Sequence, residues 1–592
     1  MTAEAFLGVE RSLLGRRWRA RGGDDREGLA IAQRLALPEI VGRLLAARGV
    51  GAEAAESFLN PTLRELLPDP SRFRDMDKAA ARLTRAVRDG EAIAVFGDYD
   101  VDGATSAALL ARFFAAAGHP IRIYIPDRMK EGYGPNLPAL LALKAQGVRI
   151  VITVDCGITA FEPLAAAEAA GLEVIVVDHH VAEPRLPAAF AVINPNRLDE
   201  TKGHGQLAAV GVTFLLVVAV NRALRQAGWY GEARTEPDLK RWLDLVALGT
   251  VCDVVPLTGL NRALVAQGLK VMARRANPGL VALADVARLA EPPGCYHAGY
   301  LLGPRVNAGG RVGEAGLGAR LLTTEDEIEA RELALRLDGH NAERRQIEEQ
   351  VQLAALAQVE ARLAPGLVFA AAPGWHAGVI GIVASRLKEL YGRPACVVAL
   401  EGEGAAIIGK GSGRSIAGID LGSAVIAARQ AGLLINGGGH PMAAGFTVAG
   451  SGLEALRDFL AERLGAGLNG EPPRQVLELD GALLPGAATA ELLTMLERLA
   501  PYGSGNAEPR FALPALRVLQ AEPLGEAHIR CTLAGSDGGR LRAVAFRSLA
   551  TELGRALLTP GGPALHLAGH FRFNRWQGRA EVQLLIEDGA PA

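Results

Sequence analysis

The chain has 592 residues, 49% hydrophobic and 22% charged. That composition argues against a disordered or fibrous polypeptide and leaves room for roughly three to four domains. The formal net charge is −2, so a nucleic-acid ligand would have to be drawn by arginines focused along a groove, not by a global positive field.

Five cysteines, Cys156, Cys252, Cys295, Cys396 and Cys531, form no C-x-x-C pair, which argues against a zinc ribbon or disulfide framework and for a reducing compartment. The N-terminal stretch MTAEAFLGVERSLLGRRW lacks the apolar core of a signal peptide. The longest apolar run, Leu207 to Val220, is too short to span a bilayer. A cytoplasmic protein with no membrane segment is expected.

In chain order, residues 1–75 read as an N-terminal helical region, with helices broken by Asn60-Pro61 and Pro68-Asp69-Pro70. Residues 76–323 read as an α/β domain. AIAVF (92–96), IRIYI (121–125), RIVITV (149–154) and EVIVV (173–177) are continuous apolar runs of strand length, the pattern of a parallel sheet buried on both faces. The helical stretch 104–117 between the first two supports βαβ units.

Three of these runs pass straight into acids: Asp98-Tyr99-Asp100-Val101-Asp102, Asp155-Cys156-Gly157 and Asp178-His179-His180. Ligands gather at the carboxyl ends of strands in such a sheet, so these side chains converge on one small volume. Carboxylates crowded together need cations to stay ionised. Hard oxygen ligands with an imidazole suit Mn²⁺ or Mg²⁺, and an Asp-x-Asp-x-Asp run suits a pair of ions. A lone Asp after a strand is often only a helix N-cap, and Asp102 before Gly103 is placed for that. Asp253, in an apolar stretch, needs either a cation or an arginine partner.

Arg305 and Arg311 lie in a Gly-rich segment, LGPRVNAGGR, expected to be a loop. Residues 324–363 read as a long connecting helix with Gly339 as its candidate bend, and 364–465 as a second, smaller α/β domain. Two further Gly-rich segments there, GKGSGRS with Ser412 and Arg414 and GGGH with His440, are also expected to be loops suited to phosphate. Residues 470–592 alternate strands in a small-barrel pattern, with an OB-fold expected. Its FRFNRWQGR segment, with Phe571, Phe573, Arg575 and Trp576, interleaves aromatics with arginines as single-strand binding requires. Phe571 and Phe573 suit the barrel core equally well, and Trp576 at the apparent turn is the better DNA candidate.

GDYDVDG, VDCG, DHH and TVCDVVP, in that order and spacing, resemble the four motifs of the DHH phosphoesterase superfamily. With GSGRS and GGGHPMAAG, which look like the DHH-associated domain, the likeness is to the RecJ-type single-strand DNA exonucleases. The resemblance implies two divalent ions held by Asp98, Asp100, Asp102, Asp155, His179 and Asp253. It places His180 beside the scissile phosphate or the leaving oxygen and water in line with it. It also implies that Arg128, Arg305, Ser412 and Arg414 hold a 5′-terminal phosphate.

Tyr133 and Trp375-His376 are candidate stacking or wedge groups, with core packing the simpler role for Trp375. The expected activity is 5′→3′ hydrolysis of single-stranded DNA to mononucleotides in repair and recombination. The expected protein is a monomer, alongside a single-strand-binding protein and a helicase. The competing readings are a phosphoesterase of small substrates, such as oligoribonucleotides or cyclic dinucleotides, and a DNA-binding scaffold without metals. Cys252 stands where a smaller residue such as Ala is expected.

Overall fold

A computed structural model describes residues 4–200, 203–361, 366–466, 475–576 and 579–592. The chain forms two compact units, one comprising Leu67–Pro256 and Ala263–Pro473 and the other Met1–Leu66, Leu257–Arg262 and Arg474–Ala592.

In the first of these, β1 (Ile93–Gly97), β2 (Arg122–Tyr124), β3 (Ile150–Val154), β4 (Glu173–Val177) and β5 (Ala191–Ile193) form an all-parallel sheet in the order β2-β1-β3-β4-β5. β1 and β3 are buried along their whole length, which is why their sequences are unbroken apolar runs instead of alternating ones. The order reverses direction between β1 and β3. That is the switch point where the crevice of an open parallel sheet forms. The helices α1 (Val101–Ala116), α2 (Ala209–Gln226), α3 (Leu243–Cys252) and α4 (Gly303–Val312) complete this layer. α2 is apolar enough to cross a membrane by composition, yet 72% of it is buried inside the protein, so it serves as a core helix.

Helix α5 (Glu327–Ala361) runs for 35 residues without a break at Gly339, about 50 Å at 1.5 Å per residue. Its first half places Ala330, Leu333, Ala334 and Leu337 in the core beneath α1 and α3. Its second half places Val351, Ala355 and Val359 in a separate core. The helix thus belongs to two hydrophobic cores, which explains its length. That second core is shared with β6 (Val368–Pro373), α6 (Ile380–Tyr391) and β7 (Ala395–Glu401). β8 (Ile408–Arg414), α7 (Leu421–Gln430), β9 (Asn436–His440) and β10 (Ala443–Ala449) follow, and the sheet order is β9-β10-β8-β7-β6.

In the other unit, β11 (Phe511–Leu524), β12 (His528–Ala534), β13 (Arg540–Ala545), helix α8 (Glu552–Leu558), β14 (Leu565–Trp576) and β15 (Arg579–Pro591) form a barrel. The strand order is β11-β12-β13-β15-β14, closed by pairing of β11 with β14. β13 and β15 run parallel while the other pairs are antiparallel. This is the five-stranded Greek-key barrel of the OB-fold.

N-terminal helices pack on the barrel core, with Ile31, Val41 and Leu44 in one cluster with Phe511 and Leu567. The strand Arg17–Ala20 pairs with Val476–Leu479, and the buried Trp18 Nε1 donates to Asp588 Oδ2 at 3.0 Å.

Candidate metal centre and phosphate cradle

The acids are placed by the geometry of strand-to-helix turns. Asp100 is the N-cap of α1 and accepts the N–H groups of Asp102 (2.9 Å) and Gly103 (3.1 Å). A Cβ on Gly103 would lie 2.4 Å from the Asp98 carbonyl, so only glycine lets this turn fold onto the strand end. The capping role expected of Asp102 on its own helix therefore falls to Asp100. Asp102 instead accepts the N–H groups of Ala209 (2.7 Å) and Val210 (2.8 Å) and caps the first turn of α2, where the helix dipole favours a negative charge. Asp155, just past β3, has φ +60°, a left-handed conformation uncommon for a non-glycine residue and frequent at functional sites. Asp253 terminates α3 as its C-cap.

Three sets of ligand atoms each lie within 4.8 Å of one another: Asp98, Asp100 and Asp155; Asp155, His179 and His180; and Asp102, His179 and Asp253. Shared members make the sets one continuous cluster that contains all seven catalytic residues expected from the sequence. Asp98 Oδ1, Asp155 Oδ1, Asp253 Oδ2 and His179 Nε2 are buried without a hydrogen-bond partner. Buried polar atoms normally find partners, so four orphans facing one volume call for an occupant.

Electrostatics agree. Burial, reinforced by Asp100, pushes Asp98 and Asp155 well above the carboxylate range. Burial and the Asp102 and Asp100 charges raise Asp253 to about 9, and burial with Asp100 raises Asp102 to about 7. Burial and the neighbouring His180 lower His179 to about 4, leaving a neutral imidazole whose Nε2 sits 3.3 Å from Asp155 and 3.7 Å from Asp253. An oxygen-rich set with one neutral imidazole fits Mn²⁺ or Mg²⁺. Thiolates do not compete. Cys156 Sγ lies against the Phe96 and Val154 carbonyls, Cys252 Sγ lies 3.4 Å from the Ala298 carbonyl, and burial pushes both thiols up. The space Cys252 needs comes from Gly303, where a Cβ would fall 2.4 Å from its sulfur.

Asp178 has a role the sequence did not disclose. It is fully buried and accepts from the N–H groups of Ile158, His179 and His180, with His180 Nδ1 at 2.7 Å. Burial would raise its pKa, but the bond to His180 and these amides hold it below the usual carboxylate range. Burial would likewise neutralise His180, yet the Asp178 bond lifts it to about 9. Adjacent histidines thus acquire opposite states, one neutral and one charged. Asn194 and Asn196 donate to the carbonyls of His180 and His179 at 2.9 and 2.5 Å, fixing the pair. Asp178→Asn is expected to lower kcat about 10–100-fold, the usual cost of losing a residue that orients a ligand, without changing the number of Mn²⁺ ions bound. Steady-state kinetics beside a Mn²⁺ titration checks this.

Next to the acids lies a cluster of guanidinium groups. Arg128 stacks over Tyr99 with 5.0 Å to the ring centroid. Burial, with the positive charges of Arg128 and Arg344, lowers Arg311 to about 10, and its Nη1 donates to the Gly378 carbonyl at 3.0 Å. Arg414 Nη1 donates to Ser412 Oγ (3.1 Å) and the Gly413 carbonyl (2.8 Å), and burial with Arg128 lowers its pKa too. Gly381 makes room at the start of α6, since a Cβ there would lie 3.0 Å from both Arg414 Nη2 and Ser412 Oγ. Cations destabilising one another beside a carboxylate site form a ready receptor for an anion.

Arg344, on α5, was not singled out by the sequence. It donates to Glu348 (2.7 Å) and Asn341 (3.0 Å), while its buried Nε has no partner.

Other expected residues fall elsewhere. Arg305 is engaged by Asp338 on α5 (2.9 Å) and by the Leu301 carbonyl (2.7 Å). The three Gly-rich segments are not loops: they are helix α4 and strands β8 and β9. Close packing demands their glycines. A Cβ at Gly411 would lie 2.1 Å from the Phe446 ring, at Gly413 2.7 Å from Leu421, and at Gly310 2.8 Å from the Tyr99 carbonyl.

His440 is exposed at the end of β9, in the cross-strand row His440–Ala443–Arg414, about 10 Å from Arg414 at two strand spacings. Tyr133 donates to the Asp155 carbonyl at 3.0 Å, its ring meets His180 edge-on at 6.0 Å, and it is 52% exposed. Trp375 is half-buried and packs against the core that includes α6, and His376 Nδ1 accepts from the Gly378 N–H. Phe571 belongs to the barrel core, and the half-buried Phe573 packs against it. The side chains of Arg575 and Trp576 lie outside the described residues.

The chain matches the DHH family, N-terminal domain over residues 92–250, the DHHA1 domain over 364–466 and the RecJ OB domain over 479–588. The single-stranded-DNA-specific exonuclease RecJ of Dickeya dadantii is 38% identical over 566 residues, covering 93% of this chain and 96% of the relative. The chain belongs to the RecJ family.

RecJ of Thermus thermophilus, solved in complex with Mn²⁺, matches with a TM-score of 0.78 at 30% identity across 95% of this chain and 78% of that one. Its Mg²⁺ complex matches with a TM-score of 0.74 at 29% identity, over 96% and 77% of the two chains. Against this RecJ frame, six of the seven clustered acids and histidines come from the DHH match and Asp253 lies just beyond its end. Ser412 and Arg414 come from the DHHA1 match, and Arg344 lies on the helix between the two.

Proposed function

We propose that this protein is a single-stranded-DNA exonuclease that digests from the 5′ end and releases 5′-mononucleotides, with two Mn²⁺ or Mg²⁺ ions held by Asp98, Asp100, Asp102, Asp155, His179 and Asp253. The observation that carries the reading is the set of orphaned, buried ligand atoms lying beside unneutralised guanidinium groups. When bound, such ions polarise the phosphoryl oxygens and make water nucleophilic near neutral pH.

The chain's own groups do the rest. Arg128, Arg311 and Arg414, with Ser412, receive the terminal 5′-phosphate, Arg supplying planar, two-pronged hydrogen bonding. With that phosphate held, the next one along the strand reaches the acids. His180, charged and oriented by Asp178, donates a proton or hydrogen bond to the scissile phosphate or the departing oxygen. Tyr133 offers an exposed ring at the mouth for the terminal base. The RecJ relatives are named for single-stranded DNA, and an OB barrel is a common platform for it. A small substrate would need neither the barrel nor the long helix. The reading extends to a cytoplasmic monomer that consumes strands freed by a helicase and covered by a single-strand-binding protein.

Digestion of 5′- and 3′-labelled single strands and of duplex, with and without Mn²⁺, tests reaction, polarity and strand state together. Early release of the 5′ label as a mononucleotide from single strands alone is expected, and early release of the 3′ label would reverse the polarity. Arg414→Ala is expected to raise KM for 5′-phosphorylated ends about 10–100-fold, the worth of a charge-assisted bond, with less effect on 5′-hydroxyl ends. Equal turnover of both ends by the unaltered protein would remove the phosphate grip.

A further inference from the structure

Helix α3, which ends in Asp253, is flanked by a short π-helical segment, His297–Leu302, a rare conformation found often at functional sites. The segment is fixed against the residue before Asp253. Cys252 Sγ lies 3.4 Å from the Ala298 carbonyl, and a Cβ at Gly299 would lie 3.5 Å from Val251. Two aromatic side chains are exposed here, Tyr300 within the segment and Tyr296 directly before it. Tyr296 is 54% and Tyr300 72% exposed, and their rings stack on each other at 5.3 Å with 26° between planes.

Tyr296 is braced from behind by His297, whose ring meets it edge-on at 5.7 Å and is itself tied to Glu291 and the Gly294 N–H. The pair is therefore pre-organised, not a loose surface feature. Val254, directly after Asp253, has φ +62° and is 69% exposed, so an apolar side chain stands in solvent directly beside the candidate metal centre as well.

The two ends of the acid cluster have different neighbours. Asp100 faces the guanidinium groups, through its attraction to Arg311, whereas Asp253 directly follows Cys252, against which the π-helical segment lies. We infer that Tyr296 and Tyr300 form a base-stacking platform for nucleotides beyond the first on the 3′ side of the scissile phosphate. This inference rests on the proposed exonuclease reading. A strand held by its 5′-phosphate at the arginines and crossing the acids arrives at this platform. Every base has a π-face, so stacking there tolerates any sequence, as a digesting enzyme requires.

The test compares Tyr296→Ala/Tyr300→Ala with the unaltered protein on a 5′-phosphorylated 20-mer and on a 5′-phosphorylated dinucleotide too short to reach the platform. The expected result is a rise of about tenfold or more in KM for the 20-mer, little change in its kcat, and unchanged dinucleotide hydrolysis. Tyr296→Phe/Tyr300→Phe should retain the 20-mer KM, because the ring and not the hydroxyl does the stacking. An unchanged KM for the 20-mer in the alanine variant overturns the inference and points to a protein-docking role for the pair. Equal loss on both substrates also overturns it, as a structural effect. Failure of the unaltered protein to cut either substrate would instead sink the exonuclease reading itself.

Discussion

Asp100→Asn is expected to lower kcat on single-stranded DNA by at least about 10³-fold while leaving strand binding nearly intact. The magnitude follows from the several kcal/mol of transition-state charge stabilisation that bound cations supply, at about 1.4 kcal/mol per tenfold in rate. Asn is chosen because Asp100 does two jobs. It caps α1 through the N–H groups of Asp102 and Gly103, and Asn caps a helix as well as Asp does. It also contributes a carboxylate to the set with Asp98 and Asp155, which Asn cannot replace. An alanine variant would mix lost capping, about 1 kcal/mol, with lost chemistry. Single-turnover digestion beside a binding titration on the same labelled strand separates the two. Undiminished cleavage would remove Asp100 from the mechanism.

In chelator, the metal-free protein is expected to lose stability as pH rises, and Asp253→Asn should reverse much of that loss. Asp253 is lifted to about 9 in the folded protein by burial and by Asp102 and Asp100, whereas an unfolded chain leaves it near the ordinary value of about 3.9. Between those two values the folded state holds a proton that the unfolded state has released. Stability therefore falls with rising pH, by up to about 1.4 kcal/mol per unit for one such group. Asp102, raised to about 7, adds to the slope up to that pH.

Replacing Asp253 with Asn removes one contributor and should stabilise the chelated protein at pH 8 by on the order of 2 kcal/mol, while weakening Mn²⁺ binding. In unaltered protein, Mn²⁺ should flatten the pH slope because bound cations replace the protons. Thermal melts at pH 5, 7 and 9, with chelator or with Mn²⁺, check both signs. A chelated protein whose stability is indifferent to pH would show that these carboxylates do not repel.

Much of the candidate metal centre was legible in the sequence because strand ends are local. An apolar run followed by Asp marks both the strand and the place where its side chain emerges, and the same reading at β1, β3 and β4 defines the crevice. The partnership of Asp178 with His180 was less visible. Asp178 follows its strand just as Asp98 and Asp155 do, and only the closing of its carboxylate on three amides and an imidazole distinguishes a positioning residue from a ligand.

The Gly-rich segments misled for a physical reason. Glycine serves a turn and a close approach equally, and Gly411 against Phe446 becomes apparent only when β8 and β10 lie side by side. Arg344 was hidden because a charged residue on a long helix reads as solvated surface until two cores enclose that helix. The packing of the N-terminal helices on the barrel is likewise invisible locally, since Trp18 and Asp588 are 570 positions apart in the chain.

The most direct test of the whole account is an anomalous-scattering map from a crystal grown with Mn²⁺. Two peaks are expected, one among Asp98, Asp100 and Asp155 and one among Asp102, His179 and Asp253, each within coordination distance of the orphaned oxygen and nitrogen atoms. Acids left without density between them, or manganese bound only elsewhere on the protein, would contradict it.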